Sequence, residues 1–175
     1  LAATRRVVPV VRRLLADALT PVGVYRALTD SRPGTFILES AAADGTWDRY
    51  SFIGVRSRAT LTSRAGSAVW VGDVPSGLRT DGAPLEVLAD ALAQLQTAPV
   101  GGLPPLTSGF VGSIGWDAIA YWEPTLVPTA PIEVDVPDVA LCLVEDLVVV
   151  DHHDGVVWLI ANAINADGLD DGVEA

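Results

Sequence analysis

The stretch VALCLVEDLVVVDHHDGVVWLIA, residues Val139–Ala161, contains two apolar, β-branched runs separated by a polar turn. The first run covers Val139–Asp151, the second covers Val156–Ala161, and the turn falls at His153-Asp154-Gly155. Runs rich in valine and joined by Asp-Gly turn residues are typical of strands paired in a hairpin. The pattern predicts a long antiparallel hairpin, around which a sheet can form.

Segments nearer the N-terminus predict further strands and a few helices. The predicted strands are Val7–Val11, Phe36–Ser40, Trp47–Ile53, Arg58–Ser63, Ala68–Val71 and Gly109–Gly115. The predicted helices begin after Thr20-Pro21 and at Pro84, and a third covers Asp117–Glu123. Because these elements do not alternate as βαβ units, they indicate an α+β fold, a mostly antiparallel β-sandwich with a few short helices. Pro9 lacks a ladder donor, which predicts an edge or a bulge for the first strand.

Composition excludes several classes of function. The 175 residues carry a net charge of -11, and all eleven basic residues are arginine, so nucleic acid and anionic membranes are not expected partners. No lysine is present for a Schiff base or a P-loop. No apolar run reaches the roughly 20 residues that span a bilayer. The single cysteine, Cys142, lies in an apolar run, which indicates a buried thiol and a reducing cytoplasm.

The two ends of the chain indicate its organisation. The chain contains no methionine, even at position 1, and its last residues, ADGLDDGVEA, are small and acidic. We therefore expect one domain over residues 1–165 and an acidic linker over residues 166–175. Together these features predict that the chain is a fragment of a longer protein.

Three motifs invite a functional interpretation that their spacing does not support. DHHD, Asp151–Asp154, looks like a metal cluster, but neighbouring strand residues point to opposite faces and Asp-Gly supplies a turn. GFVGSIG, Gly109–Gly115, lacks the spacing of a dinucleotide fingerprint and predicts a strand with close backbone approach. The adjacent Glu145 and Asp146 diverge in a strand and have a predicted structural role. We therefore predict no catalytic residue and no metal ligand in this chain.

Polar residues at two strand ends outline a binding site in FILESAAADGTWDRYSFIG, residues 36–54. With a two-residue turn at Asp44-Gly45, Ser40 lies opposite Arg49 and Glu39 lies opposite Tyr50. An acid can hold an ammonium group, and an arginine or free backbone N–H groups can hold a carboxylate. The leucine at position 38 and an aromatic wall suit an apolar ligand body. This is an amino-acid site in outline, although these residues alone favour a cross-strand polar pair on a solvated face.

Three segments resemble one enzyme family. LESAAADGTWDRYSFIG, Leu38–Gly54, is similar to the "LES…G…W…RYSFIG" signature of anthranilate synthase component I, the large subunit. GGLPPLTSGFVGSIGWDAIAYWEP, Gly101–Pro124, and DVPDVALCLVEDLVVVDHHDGVVWLIANA, Asp135–Ala163, are similar to two later regions of that family. The resemblance extends from about Val8 to Ala163, with the motifs in the family's order. It is specific for the N-terminal domain of this chorismate-enzyme family.

The resemblance implies what the parent protein does. The full enzyme is a lyase of tryptophan biosynthesis that converts chorismate and ammonia to anthranilate and pyruvate with Mg²⁺. A glutamine amidotransferase subunit supplies the ammonia. Chorismate, Mg²⁺ and the catalytic acids belong to a C-terminal chorismate-binding domain that this chain lacks, so the fragment alone is expected to have no cofactor and no activity.

The resemblance also implies a regulatory role for this domain, in which L-tryptophan binds and inhibits. The family's site corresponds to the residues Leu38, Glu39, Ser40, Arg49, Tyr50 and Ser51. Two positions depart from the family pattern: Ala120 stands where the family has arginine, and Ser113 replaces an aromatic residue. Neither departure falls in the tryptophan site, so feedback sensitivity is expected in the parent.

Two alternatives remain open. The N-terminal domain of aminodeoxychorismate synthase component I has the same fold in the folate pathway, and there tryptophan would be a structural ligand. A non-enzymatic amino-acid-binding or interaction module would have no chorismate domain downstream. The product of the full-length protein, anthranilate or aminodeoxychorismate, distinguishes the first alternative from anthranilate synthase. The downstream coding sequence tests the second, because a binding module would have no chorismate domain there.

Overall fold

The computed structural model describes residues 6–16, 19–39, 49–123, 125–126, 131 and 133–167. These described residues form seven strands, two α-helices and one 3₁₀ helix. The strands are β1 (Val7–Leu15), β2 (Phe36–Leu38), β3 (Tyr50–Arg64), β4 (Ser67–Gly72), β5 (Phe110–Ile114), β6 (Val139–Asp151) and β7 (Val156–Ile164). The helices are α1 (Pro21–Thr29), α2 (Pro84–Leu95) and the 3₁₀ helix (Trp116–Tyr121).

All strand pairs are antiparallel, and the seven strands join in one continuous sheet. The main order is β1-β7-β6-β3-β2, with β4 paired to β3 and β5 paired to β6. The path is not closed, since β1 and β2 lie at its two ends. This confirms the predicted fold class, α+β with a mostly antiparallel sheet and few helices, and it confirms the edge position predicted from Pro9.

The hairpin predicted from the opening stretch provides the centre of the sheet. Its first strand is Val139–Asp151, as predicted, and it pairs with β7, β5 and the long strand β3. Two segments predicted as separate strands, Trp47–Ile53 and Arg58–Ser63, belong instead to β3 from Tyr50 onward, and Arg49 directly precedes that strand. Register shifts against β6 between Gly54 and Ala59 keep this strand continuous across its polar middle.

The polar middle of β3 is held by the acids of β6. Arg56 Nε lies 3.2 Å from Glu145 Oε2 and 2.9 Å from Asp146 Oδ2. Arg58 Nη1 lies 3.3 Å from Glu145 Oε1. The two adjacent carboxylates therefore have the structural role predicted for them.

The helices begin where the capping residues predict. Thr20 Oγ1 accepts a hydrogen bond from Gly23 N at 3.1 Å, and Pro21 is the first residue of α1. Val24 of α1 packs with Ile53 on one face of the sheet. Helix α2 packs through Val87 against β3 and β4. Neither these nor any other helix in the described part of the chain is long and apolar enough to cross a membrane.

Close backbone approach explains the central glycine of GFVGSIG, Gly112. A Cβ atom on Gly112 would overlap the carbonyl oxygen of Ala140 on the neighbouring strand. Only glycine fits at this position, which confirms the predicted strand with close backbone approach. The helix predicted over Asp117–Glu123 is present as the 3₁₀ helix, which begins one residue earlier and is tighter than an α-helix.

Candidate functional site

The end of β2 and the start of β3 carry the residues predicted to form the amino-acid site. In the observed register Leu38 pairs with Phe52 and Ile37 with Ile53. The predicted register, with Glu39 opposite Tyr50, is therefore wrong by one residue. A slip of one residue moves side chains to the other face of a sheet, so it changes which residues lie together.

Phe36 and Gly54 explain the observed register. The ring of Phe36 lies over Gly54, where a Cβ atom would overlap three ring carbons. Any other residue at position 54 would displace the ring, so this glycine favours pairing with phenylalanine. The prediction considered only the turn at Asp44-Gly45, which lies outside the described residues, and ignored the space that the ring needs.

The apolar and aromatic side chains of the predicted site lie on one face of the sheet. Leu38 shares this face with its partner Phe52 and with Tyr50. The rings of Tyr50 and Phe52 lie 6.1 Å apart, and the guanidinium carbon of Arg49 lies 5.0 Å from the Tyr50 ring centroid. Leu38 is 43% exposed, so this face carries an accessible apolar side chain as well as the Arg49–Tyr50 pair.

The acidic member of the site lies at the end of β2. Glu39 directly follows β2 and is exposed. Ser40 lies outside the described residues. Leu38 and Tyr50 therefore share a face of the sheet, Arg49 lies over the Tyr50 ring, and Glu39 follows Leu38 in the sequence.

Arg49 is held by two carboxylates from the β6–β7 hairpin. Its Nε and Nη2 atoms donate to Asp151 Oδ1 at 3.0 Å and to Asp151 Oδ2 at 2.7 Å. Nη2 also donates to Asp154 Oδ2 at 3.1 Å, and Arg13 Nη2 lies 3.3 Å from the same oxygen. Within the described part of the chain, Arg49 Nη1 has no hydrogen-bond acceptor. The guanidinium is fixed in orientation, and neither Asp151 nor Asp154 uses its Nη1 donor.

Asp151 is the buried centre of this ion cluster, with 1% of its surface exposed. Burial raises its pKa, but the hydrogen bonds from Arg49 and from the backbone N–H groups of Asp154 and His153 outweigh burial and lower it. Conversely, the hydrogen bond with Asp151 raises the pKa of Arg49. Both groups therefore stay charged near neutral pH.

Asp151 also closes the hairpin turn. Its Oδ1 atom accepts hydrogen bonds from His153 N at 3.1 Å and from Asp154 N at 3.2 Å. The DHHD motif therefore forms a turn, as its Asp-Gly pair predicted. Among the described residues, no group of three or more His, Cys, Asp or Glu side chains could hold a metal ion.

Ser51 lies on the other face of the sheet from Tyr50 and Phe52. It is 1% exposed, and its Oγ atom lies 2.8 Å from His152 Nε2. His152 N also donates to Arg49 O at 2.8 Å. The structure thus places Ser51 in a buried contact with the hairpin, apart from the apolar surface at Leu38.

Asp151, His152 and Asp154 are the residues that the sequence analysis did not assign to this site. They lie about a hundred positions along the chain from Arg49, and only the pairing of β3 with β6 brings them close. The signal in the sequence for this contact is the pair of acids in the DHHD motif, which can neutralise an arginine such as Arg49 from another strand. The acids of the cluster fix the guanidinium of Arg49 in one orientation, over the Tyr50 ring.

Several proteins similar to this chain in sequence share one name. Anthranilate synthase component 1 of Arthrobacter globiformis is 49% identical over 174 residues, covering 99% of this chain and 33% of that protein. The protein of the same name from Mycolicibacterium smegmatis is 45% identical, with the same coverage. This chain is homologous to a part of anthranilate synthase component 1. It spans about a third of the length of those relatives.

The fold agrees with a solved anthranilate synthase component I. The crystal structure of that protein from Streptococcus pneumoniae TIGR4 matches 88% of this chain and 32% of its own chain, with a TM-score of 0.52 and 22% sequence identity. At this identity the match supports the fold alone. No family model matches the chain.

Proposed function

We propose that this chain is the N-terminal regulatory domain of an anthranilate synthase component 1 and that it binds L-tryptophan as a feedback inhibitor. Relatives with that name at 45% to 49% identity support the parent's identity. The observation that supports the binding role is the oriented guanidinium of Arg49 over the Tyr50 ring, on the sheet face that also carries the exposed side chain of Leu38.

The parent would convert chorismate and ammonia to anthranilate and pyruvate in the cytoplasm. A glutamine amidotransferase subunit would supply the ammonia. We place chorismate, Mg²⁺ and the catalytic acids in the C-terminal part of the parent, since the described residues of this chain do not fit a metal ion. In the parent, residues 166–175 would then link the two parts.

The proposed site would bind each part of the amino acid differently. The indole would lie on the apolar face at Leu38 and Tyr50. The carboxylate of Glu39 would hold the ammonium group, together with Ser40, the next residue in the sequence. Arg49 would hold the ligand carboxylate through Nη1, the edge left over from Asp151 and Asp154.

Ser51 would act indirectly in this arrangement. Its buried hydrogen bond with His152 ties β3 to the hairpin that carries the two acids of the cluster. Tryptophan would inhibit because it binds the inactive arrangement of the parent more tightly than the active one. The size of the inhibition is then set by that difference in affinity.

Calorimetric titration with L-tryptophan, with L-phenylalanine as the control, tests the binding role on this chain and on the full-length parent. We expect saturable binding that prefers tryptophan, and Ser40→Ala should weaken inhibition of the parent while leaving its uninhibited turnover intact. If Ser40→Ala left tryptophan inhibition of the parent unchanged, the assignment of the tryptophan site to these residues would be wrong. Formation of aminodeoxychorismate in place of anthranilate by the parent would overturn the assigned pathway.

A further inference from the structure

The 3₁₀ helix presents one apolar face to solvent. Residues three apart lie above one another in a 3₁₀ helix, so Trp116, Ile119 and Trp122, which closes the last turn, share a face. Their exposed fractions are 86%, 36% and 60%. We call these three residues the aromatic ridge. Exposed tryptophans aligned on one face are typical of a surface that another protein covers.

The opposite face of the same helix fixes the ridge in place. Ala118 is fully buried, and Tyr121, three residues later, donates a hydrogen bond from its hydroxyl to Asp138 Oδ2 at 2.8 Å. Gly115 N donates to Asp138 O at 2.6 Å. Burial raises the pKa of Tyr121, so its hydroxyl keeps the proton that it donates. The ridge is therefore held in one orientation before any partner binds, which lowers the entropic cost of docking.

The charged residues nearest to the ridge in the sequence are all acidic. Asp117 lies within the helix, Glu123 follows it, and Glu133 and Asp135 lie just before the anchoring residue Asp138. The sequence contains no Arg or Lys after Arg79. A complementary surface would have an apolar centre flanked by arginine or lysine, and those cations would also bind favourably over the tryptophan rings. A second copy of this chain would bring the same acids against one another, which opposes self-association.

We propose that the aromatic ridge docks the remaining part of the parent polypeptide through an apolar surface flanked by basic residues. This proposal rests on the proposed function. The relatives are about three times as long as this chain, so a segment about twice its size is available in the same polypeptide. Covalent connection makes that segment the partner with the highest effective concentration. Two tryptophans on a rigid ridge suit such a lasting contact.

Hydroxyl-radical footprinting with mass spectrometry tests the proposal on the full-length parent and on this chain. We expect oxidation of Trp116 and Trp122 to be slowed about tenfold in the parent relative to the 175-residue chain. The paired substitution Asp117→Arg with Glu123→Arg leaves the ridge intact but reverses its charge, and it should restore fast oxidation in the parent. Leu92→Ala, at an exposed position on α2, is the matched control and should leave the protection unchanged.

The outcomes separate this proposal from the proposed function. Equal oxidation in the parent and in the chain would overturn the docking role. Protection that appears only after a separate amidotransferase subunit is added would also overturn it, since the partner would then be another chain. Protection in a parent that makes no anthranilate would overturn the proposed function while leaving the ridge as a contact within that polypeptide.

Discussion

The carboxylate of Asp151, at the end of β6, accepts two hydrogen bonds from the guanidinium of Arg49, which directly precedes β3, at 2.7 Å and 3.0 Å. The acid is buried, whereas 37% of the arginine side chain is exposed. The same carboxylate closes the β6–β7 turn through two backbone N–H groups. One residue thus orients the cation of the proposed site and stabilises the hairpin next to it.

Asp151→Asn should lower the free energy of unfolding by about 2 kcal/mol at neutral pH, because it weakens hydrogen bonds to a charged group. Folding lowers the Asp151 pKa, so this stabilisation is present above the pKa of an unfolded aspartate, about 4, and is lost as pH falls through the lower folded value. Urea denaturation at pH 7 and pH 3 measures both effects. The difference between wild type and Asp151→Asn should shrink at pH 3.

Asp73→Asn is the control for that experiment. Asp73 pairs with Arg58 at 2.8 Å but is 75% exposed, so its loss should cost less than about 0.5 kcal/mol. Equal destabilisation by the two substitutions would show that burial at Asp151 does not strengthen its pair with Arg49.

Gly54→Ala tests the residue that sets the β2–β3 register. The new methyl group would overlap the Phe36 ring, so we expect a loss of about 2 kcal/mol from overpacking. Gly101→Ala is the matched control, since a Cβ there has no neighbour within 4 Å. Combining Gly54→Ala with Phe36→Leu should cost less than the sum of the two single changes. Strict additivity would mean that the ring does not constrain position 54.

Local patterns in the sequence predicted most of the fold. Alternation and turn residues located the β6–β7 hairpin, and the Thr20-Pro21 pair located the start of α1, because these signals act within a few residues. The continuity of β3 was not predicted. Its polar middle looks like a break until Glu145 and Asp146 supply partners from β6.

The candidate site was predictable only in part for the same reason. Glu39, Arg49 and Tyr50 are near neighbours in a hairpin pattern, so they could be found as a group. The register depends on where the Phe36 ring fits, and the anchoring of Arg49 depends on Asp151, about a hundred residues away. Neither dependence leaves a local periodicity in the sequence.

Thr20→Ala should lower the free energy of unfolding by about 1 kcal/mol, because it removes the side-chain acceptor for Gly23 N at the start of α1. Helix α1 covers Ile53 and its neighbours in the core, so fraying there would also speed amide exchange in its first turn. Thr80→Ala, at an exposed loop position, is the control and should be neutral. A neutral Thr20→Ala would mean that water satisfies Gly23 N equally well.

Asp154→Asn should increase the affinity of the proposed site for L-tryptophan. Asp154 is 36% exposed, and it neutralises Arg49 at 3.1 Å. Removing its charge leaves Arg49 more attractive to a ligand carboxylate, by about threefold in affinity, which is the scale of one exposed ion pair. Asparagine keeps the backbone N–H that donates to Asp151, so the turn should persist.

Calorimetry at low and high salt measures the gain in affinity, which should shrink at high salt. Asp73→Asn removes the same charge far from the site and controls for the net charge of the chain. Weaker binding in Asp154→Asn would mean that Arg49 does not receive the carboxylate and that Asp154 itself contacts the ligand.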